Sequence, residues 1–71
     1  MKGAEFIRKI RKPGRQNGVA VLFDPTRGVG SHGTLFYGTA FTIVKDRKKE
    51  LGKKARRSML EQLGLPKDLF S

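Results

Sequence analysis

The stretch HGTLFYGTAFTIV at positions 32–44 decides the fold of this chain. It contains two runs rich in β-branched and aromatic residues, at positions 32–37 and 40–44, each of which predicts a strand. The Gly-Thr pair at positions 38–39 favours a tight reversal between them. The stretch therefore predicts an antiparallel hairpin, and the rest of the chain has to pack around it.

Side chains that alternate along the first of these strands separate two faces. His32, Thr34 and Phe36 share one face, whereas Leu35 and Tyr37 share the other. If Leu35 enters the core, the only histidine of the chain points away from it. Tyr37 is then expected to be a core residue with its hydroxyl group at the edge.

Another strand is predicted before the hairpin. Residues 19–23 read VAVLF, a short apolar run whose composition indicates a buried strand. Residues 24–28 read DPTRG, in which proline and glycine favour a turn. The three runs together predict an antiparallel meander.

Helical periodicity appears on both sides of the meander. Residues 3–12 predict a first amphipathic helix, which should end there because Pro13 disfavours helical backbone before it and Gly14 suits a left-handed turn. Residues 55–63 predict a second helix that ends at Gly64. The apolar side chains expected to meet the sheet are Phe6, Ile7, Ile10, Met59, Leu60 and Leu63.

The order of elements is thus helix, three strands and helix. With both helices on one face of the sheet, it predicts a two-layer α+β fold in a single domain spanning residues 1–71. The chain has no cysteine and one histidine, so we expect no disulfide, no metal and no cofactor. No segment approaches the roughly 18 apolar residues of a membrane span and no signal-peptide core is present, so we expect a cytoplasmic protein without membrane contact.

Charge divides the chain into basic helices and a nearly neutral sheet. Sixteen Lys and Arg against six Asp and Glu give a net charge of +10, which favours a polyanionic partner. Most cations lie in residues 1–15 and 45–57. Taken singly, each fits a solvated helix face, but together they are typical of phosphate-backbone binding. The residues predicted to contact nucleic acid are Arg8, Arg11, Lys12, Gly30, Ser31, Lys53 and Lys54.

Four segments of the chain together resemble the HicA-type toxins. Residues 2–10 read KGAEFIRKI, Gly30-Ser31-His32 precede an apolar strand, residues 49–52 read KELG, and residues 59–65 read MLEQLGL. The segments cover nearly the whole chain in order. Three residues such as Gly-Ser-His recur by chance, whereas their position between a basic first helix and a leucine-rich last helix makes the combination specific.

The resemblance implies a fold like the double-stranded-RNA-binding domain, in the order α-β-β-β-α. It also implies a messenger-RNA-cleaving toxin encoded beside a HicB-type antitoxin, with His32 as the catalytic residue. The chain departs from the family pattern after the third strand. Many members carry a proline and a further histidine where this chain reads VKDR at 44–47, and many carry Gly-Thr where it reads GKKA at 52–55. A two-histidine mechanism is therefore out of reach.

The chemistry expected of His32 is general-base catalysis of RNA cleavage. An imidazole, whose ordinary pKa is about 6.5, takes the proton of a ribose 2′-hydroxyl as that oxygen attacks the adjacent phosphorus, a contribution of roughly 10²–10⁴-fold. This reaction needs the 2′-hydroxyl, so RNA is expected rather than DNA. Backbone N–H groups of residues 30–33 and a nearby Lys or Arg are expected to stabilise the developing charge. The general acid stays open among Tyr37, a lysine and water.

Two other functions fit the same residues. One is a non-catalytic domain, similar to a double-stranded-RNA-binding domain, that holds structured RNA with the same fold and charge. The other is a small basic DNA-binding protein, although no recognition-helix pattern is evident. Cleavage of RNA in the presence of EDTA separates the enzyme from both. For Phe36, on the face of His32, three roles stay open: stacking on an RNA base, contact with a partner, and simple burial.

Overall fold

The computed structural model describes residues 1–25 and 32–70. Its elements are, in order, α1 Gly3–Asn17, β1 Val21–Asp24, β2 Gly33–Tyr37, β3 Ala40–Val44 and α2 Lys53–Gln62. The protein is a small α+β domain, and the predicted order α-β-β-β-α is confirmed. The third strand has its predicted bounds, and α2 begins and ends slightly earlier than predicted. Within the described residues, neither helix is long and apolar enough to cross a membrane.

The strands form one antiparallel sheet with β2 in the centre. Leu35 pairs with Phe23 of β1 and with Thr42 of β3. Phe36, the next residue, points to the opposite side because strand side chains alternate. We call the side that carries Leu35 the core face and the side that carries Phe36 the outer face.

Both helices cover the core face of the sheet. α1 packs against β1, and α2 packs against β3. Leu35 is completely buried, and Tyr37 is only 9% exposed. The helix side chains buried with them are Phe6, Ile7, Ile10, Met59, Leu60 and Leu63. These are the residues predicted to meet the sheet, and each contributes about 1.5–3 kcal/mol when fully buried. The two-layer arrangement is therefore confirmed.

β1 differs from its prediction in both position and burial. The prediction gave residues 19–23, whereas the strand is Val21–Asp24. Its apolar composition suggested a buried strand, yet Leu22 is 63% exposed because it lies on the outer face. Val21 and Phe23 lie on the core face and are partly buried against the helices. A short apolar run does not by itself reveal whether one face of a strand is covered or both.

α1 extends five residues beyond its predicted end, to Asn17. The prediction stopped the helix before Pro13, but it continues through Pro13 and Gly14, both of which are buried. Their packing offsets the roughly 3 kcal/mol that a proline costs inside a helix. The left-handed residue that ends the helix is Gly18, with φ of 64°. The next N–H group, that of Val19, donates to the Gly14 carbonyl at 2.8 Å, which completes the expected capping pattern one turn later.

The first turn of α1 is hydrogen-bonded to the segment that follows β3. The N–H group of Gly3 donates to the Lys49 carbonyl at 3.2 Å, and that of Ala4 donates to the Arg47 carbonyl at 2.9 Å. These bonds satisfy donors that the first turn of a helix leaves without intrahelical partners. They also fix the basic segment at residues 45–49 beside the end of the sheet.

Candidate nucleic-acid interface

His32 lies one residue before β2 and is half-buried. Leu35 and Tyr37 of that strand enter the core, so the strand alternation assigns Thr34, Phe36 and, one step before the strand, His32 to the outer face. The residues that precede it, 26–31, lie outside the described part of the chain. The histidine therefore stands at the end of the sheet on its uncovered side.

A basic side chain stands across the sheet from this histidine. Gly33 pairs with Val44 in the ladder between β2 and β3. One further step of the antiparallel register sets Lys45 opposite His32. Lys45 is exposed, so its ammonium group is accessible to a phosphate that approaches the end of the sheet.

A second cation is held at the same end of the sheet by an aromatic ring. The guanidinium carbon of Arg47 lies 5.2 Å from the ring centroid of Phe23, a cation–π distance. The Phe23 ring in turn covers Gly33, where a Cβ would lie 2.8 Å from ring atom Cε1. The absence of a side chain at Gly33 therefore makes room for the Phe23 ring, and this ring holds Arg47 at the end of the sheet where His32 lies.

Lys45 and Arg47 were not among the residues predicted to contact nucleic acid. The signal that would have found them is topological, because in a meander the end of the third strand lies beside the start of the second. The sequence prediction already contained both strands. Lys45 is found opposite His32 only when the strand register is extended one residue beyond the pair of Gly33 and Val44.

Tyr37, one of the three candidates for the general acid, lies in the core. Its hydroxyl accepts a hydrogen bond from Asn17 Nδ2 at 2.9 Å and donates to the Pro13 carbonyl at 3.3 Å. It lies on the opposite face from His32 and five residues away, about 17 Å along a strand at roughly 3.3 Å per residue. The geometry therefore excludes Tyr37 as the acid that works with His32, and a lysine or water remains.

Arg8 and Arg11 lie together in a basic groove between α1 and the start of β1. The groove measures about 330 Å³, and its other lining residues are Arg15, Val19 and Val21. Arg8, Arg11 and Arg15 lie on one helix face because their spacing is i, i+3, i+7. Among the described residues none of the three arginines makes an ion pair. Their charge is thus available to an anion.

The other predicted contacts divide between two more grooves and the undescribed loop. Lys53 and Lys54 line a groove of about 540 Å³ on α2, together with Arg57 and the ion pair between Glu61 and Lys67. A third groove of about 430 Å³ lies between α1 and the C-terminal turn. It is lined by Lys9, Lys12, Pro13, Gln16, Leu69 and Phe70. Gly30 and Ser31 lie outside the described residues. Of the five described predicted residues, the structure therefore places Arg8 with Arg11 and Lys53 with Lys54, leaves Lys12 in a separate groove, and gathers none of them in a groove with His32.

Carboxylates and the single histidine do not cluster in the described part of the chain. Within residues 1–25 and 32–70, no group of three or more His, Cys, Asp or Glu side chains is arranged to hold a metal ion. Asp46 instead accepts a hydrogen bond from the backbone N–H of Lys48 at 2.8 Å. This bond helps to shape the basic segment after β3.

Comparison with known proteins does not assign the chain to a family. No family model, no curated protein and no solved structure matches it.

Proposed function

We propose that this chain is a cytoplasmic messenger-RNA endoribonuclease, the toxin of a HicA-type toxin–antitoxin pair with a fold like the double-stranded-RNA-binding domain. The observation that carries the proposal is the setting of His32, which is half-buried on the uncovered face of the sheet. Lys45 lies across the ladder from it, and Phe23 holds Arg47 at the same end of the sheet, on the core face. A base next to fixed positive charge is the minimum that cleavage of a phosphodiester by its own 2′-hydroxyl requires.

In the proposed mechanism His32 acts as the general base. Its imidazole removes the proton of a ribose 2′-hydroxyl while that oxygen forms a bond to the adjacent phosphorus. The bond from phosphorus to the 5′-oxygen breaks, which gives a 2′,3′-cyclic phosphate. The leaving 5′-oxygen takes a proton from a lysine or water and becomes a 5′-hydroxyl. Lys45 is proposed to stabilise the negative charge on the phosphoryl oxygens, and Arg47 adds positive charge at the same end of the sheet. The backbone N–H groups of Gly30 and Ser31 are proposed to assist.

The groove that holds Arg8, Arg11 and Arg15 supplies the proposed path for the RNA backbone. Val21, which lines this groove, pairs with Tyr37, so the groove begins about 17 Å along the strand direction from His32 at roughly 3.3 Å per residue. Phosphates bound there would anchor the strand while another phosphate lies at the histidine. Because each neutralised phosphate releases counterions, binding should weaken steeply as salt is added.

One observation favours a non-catalytic RNA-binding domain instead. The predicted contacts of α1 and α2 line three separate grooves, and His32 lines none of them. A domain that holds RNA through scattered phosphate contacts needs no histidine. The alternative therefore differs from the enzyme in one measurable property, which is whether the bound RNA is cleaved.

The decisive experiment compares the parent chain with His32→Ala on end-labelled RNA in EDTA. We expect the parent to produce fragments that end in cyclic phosphate and His32→Ala to cleave about 10²- to 10⁴-fold more slowly. Binding measured with a cleavage-resistant 2′-O-methyl RNA should change little, and the urea midpoint shows whether the variant stays folded. A folded His32→Ala protein that cleaves as fast as the parent would remove His32 from the mechanism. Tight binding by the parent without any cleavage would establish the non-catalytic alternative.

The proposed partner is a HicB-type antitoxin, a small protein that covers His32 and neutralises part of the basic surface. The net charge of +10 supports an acidic docking face on that partner. A reading frame for such a protein beside this gene is the observation that tests the pairing.

A further inference from the structure

The outer face of the sheet carries a row of apolar side chains that no described helix covers. Leu22, Phe36 and Phe41 pair side by side across the three strands. Leu22 is 63% exposed and Phe41 is 55% exposed, and Ile43 beside them is 47% exposed. Large apolar side chains in contact on a small domain mark a binding surface.

Two of these residues form an aromatic pair. The ring centroids of Phe36 and Phe41 lie 6.2 Å apart, with an angle of 47° between the ring planes. Both rings belong to strands that the ladder fixes in register, so the pair is held in place before any ligand arrives. Phe36 lies on the same face as His32 and four residues further along β2, about 13 Å at roughly 3.3 Å per residue.

The net charge of the chain favours one class of ligand for the outer face. A second copy would bring another +10 to the contact, and the two chains would repel each other. An anionic polymer is attracted by the same charge. Nucleobases are the part of such a polymer that needs an apolar aromatic surface, because every base has a flat face that stacks on a ring.

We propose that the outer face is a stacking platform on which Phe36 and Phe41 bind the bases of single-stranded RNA. The proposal rests on the proposed function, since it names the form of RNA that is presented to His32. A duplex keeps its base faces stacked inside and is recognised through phosphates and 2′-hydroxyls. The outer face offers rings rather than cations at its centre, so it suits a single strand and contrasts with the duplex preference that a double-stranded-RNA-binding fold implies.

The absence of tryptophan from the chain permits a direct test. In Phe41→Trp, the emission of the new indole reports on position 41 alone. We expect a short 2′-O-methyl oligouridine to quench this emission on titration, while a duplex of the same length leaves it unchanged. Because the 2′-O-methyl group prevents cleavage, binding can be measured without replacing His32.

Matched substitutions separate ring stacking from simple apolar contact. Phe41→Leu keeps an apolar side chain but loses the ring, and we expect single-stranded RNA to bind it about 5- to 150-fold more weakly. Leu22→Ala removes an exposed aliphatic side chain of the same face but no ring, and it should weaken binding much less than Phe41→Leu does. Equal affinity of Phe41→Leu and the parent, or equal quenching by the duplex, would overturn the proposal. A parent chain that dimerises while Phe41→Leu stays monomeric would assign the face to a second copy.

The cleavage assay keeps this proposal distinct from the proposed function. If the parent cleaves RNA but Phe41→Trp shows no quenching, the platform is wrong and the enzyme stands. If quenching occurs and the parent does not cleave, the platform stands in a domain that only binds RNA.

Discussion

Replacing Gly33 by alanine puts a methyl group where the Phe23 ring now lies. A Cβ at Gly33 would lie 2.8 Å from Cε1 and 3.1 Å from Cε2 of that ring, and closer still to Cζ. Carbon atoms in contact are normally about 3.5–4.0 Å apart, so the ring has to move. The Phe23 ring packs against the core and makes a cation–π contact with the guanidinium group of Arg47. Its displacement therefore disturbs both neighbours.

The expected cost of Gly33→Ala follows from two opposing effects. Overpacking of this kind destabilises a core by about 1–3 kcal/mol. Alanine recovers about 0.4–1 kcal/mol because it restricts the unfolded chain more than glycine does. We expect the free energy of unfolding to fall by about 1–2 kcal/mol. In urea, with a slope of about 1 kcal/mol/M for a small domain, the midpoint should fall by about 1–2 M while the slope stays constant.

A double-mutant cycle with Phe23→Leu identifies the cause. Leucine removes the ring atoms that the new methyl group would meet, so Gly33→Ala should cost much less in the Phe23→Leu background. Circular dichroism during urea titration of the parent, both single variants and the double variant gives the four free energies needed. An equal cost of Gly33→Ala in both backgrounds, or a variant as stable as the parent, would refute the packing argument.

Two further substitutions test polar contacts of the core and the N-terminus. Tyr37→Phe removes the hydroxyl that donates to the Pro13 carbonyl, and we expect a loss of about 0.5–1.5 kcal/mol in urea unfolding with unchanged RNA cleavage; loss of cleavage in the folded variant would restore Tyr37 as the acid. A hydrogen bond from the Met1 ammonium group lowers the pKa of Glu50 below its ordinary value of 4.5. Its stabilisation is present above the unfolded-state pKa and is lost as pH falls through the lower folded-state pKa, so Tm should decrease less for Glu50→Gln than for the parent between about pH 6 and pH 3. Equal decreases in Tm would contradict this assignment.

Much of the fold follows from local patterns in the sequence. The third strand, Ala40–Val44, has bounds set by the Gly-Thr reversal before it and the basic segment after it. Alternation along β2 separates Leu35 from Phe36 without any knowledge of the helices. Periodicity also identifies the apolar stripe of each helix, because only that face has enough apolar side chains to pack on a sheet.

The error at the end of α1 arose from packing that local rules do not contain. Pro13 and Gly14 normally end a helix, but here Gly14 lies against the chain that returns into β1. A Cβ at Gly14 would lie 3.0 Å from the carbonyl oxygen of Val19. The glycine thus serves a close approach rather than a left-handed turn. Ending the helix early also hid Arg15, which completes the face formed by Arg8 and Arg11.

Arg47, which lies at the same end of the sheet as His32, illustrates a different limit of sequence-based prediction. Arg47 lies in a basic segment where every side chain has a similar chance of being solvated. Its position depends on Phe23 of β1, which is distant in sequence, and on the missing side chain of Gly33. Composition therefore reveals that cations surround the sheet, and only the folded chain reveals which one an aromatic ring holds in place.

In the proposed mechanism a single histidine is sufficient because removing the 2′-hydroxyl proton demands more of the enzyme than protonating the leaving 5′-oxygen does. His32 has to remove a proton from a hydroxyl group that is otherwise a weak nucleophile. The charge that develops on the phosphoryl oxygens can be stabilised by fixed cations, and Lys45 and Arg47 lie at that end of the sheet. The leaving 5′-oxygen takes its proton from a lysine or from water. With Tyr37 engaged by Asn17 in the core, the proposed enzyme depends on one base and on electrostatic stabilisation. Fixed charge, with a proton donor other than a second histidine, then completes the proposed mechanism.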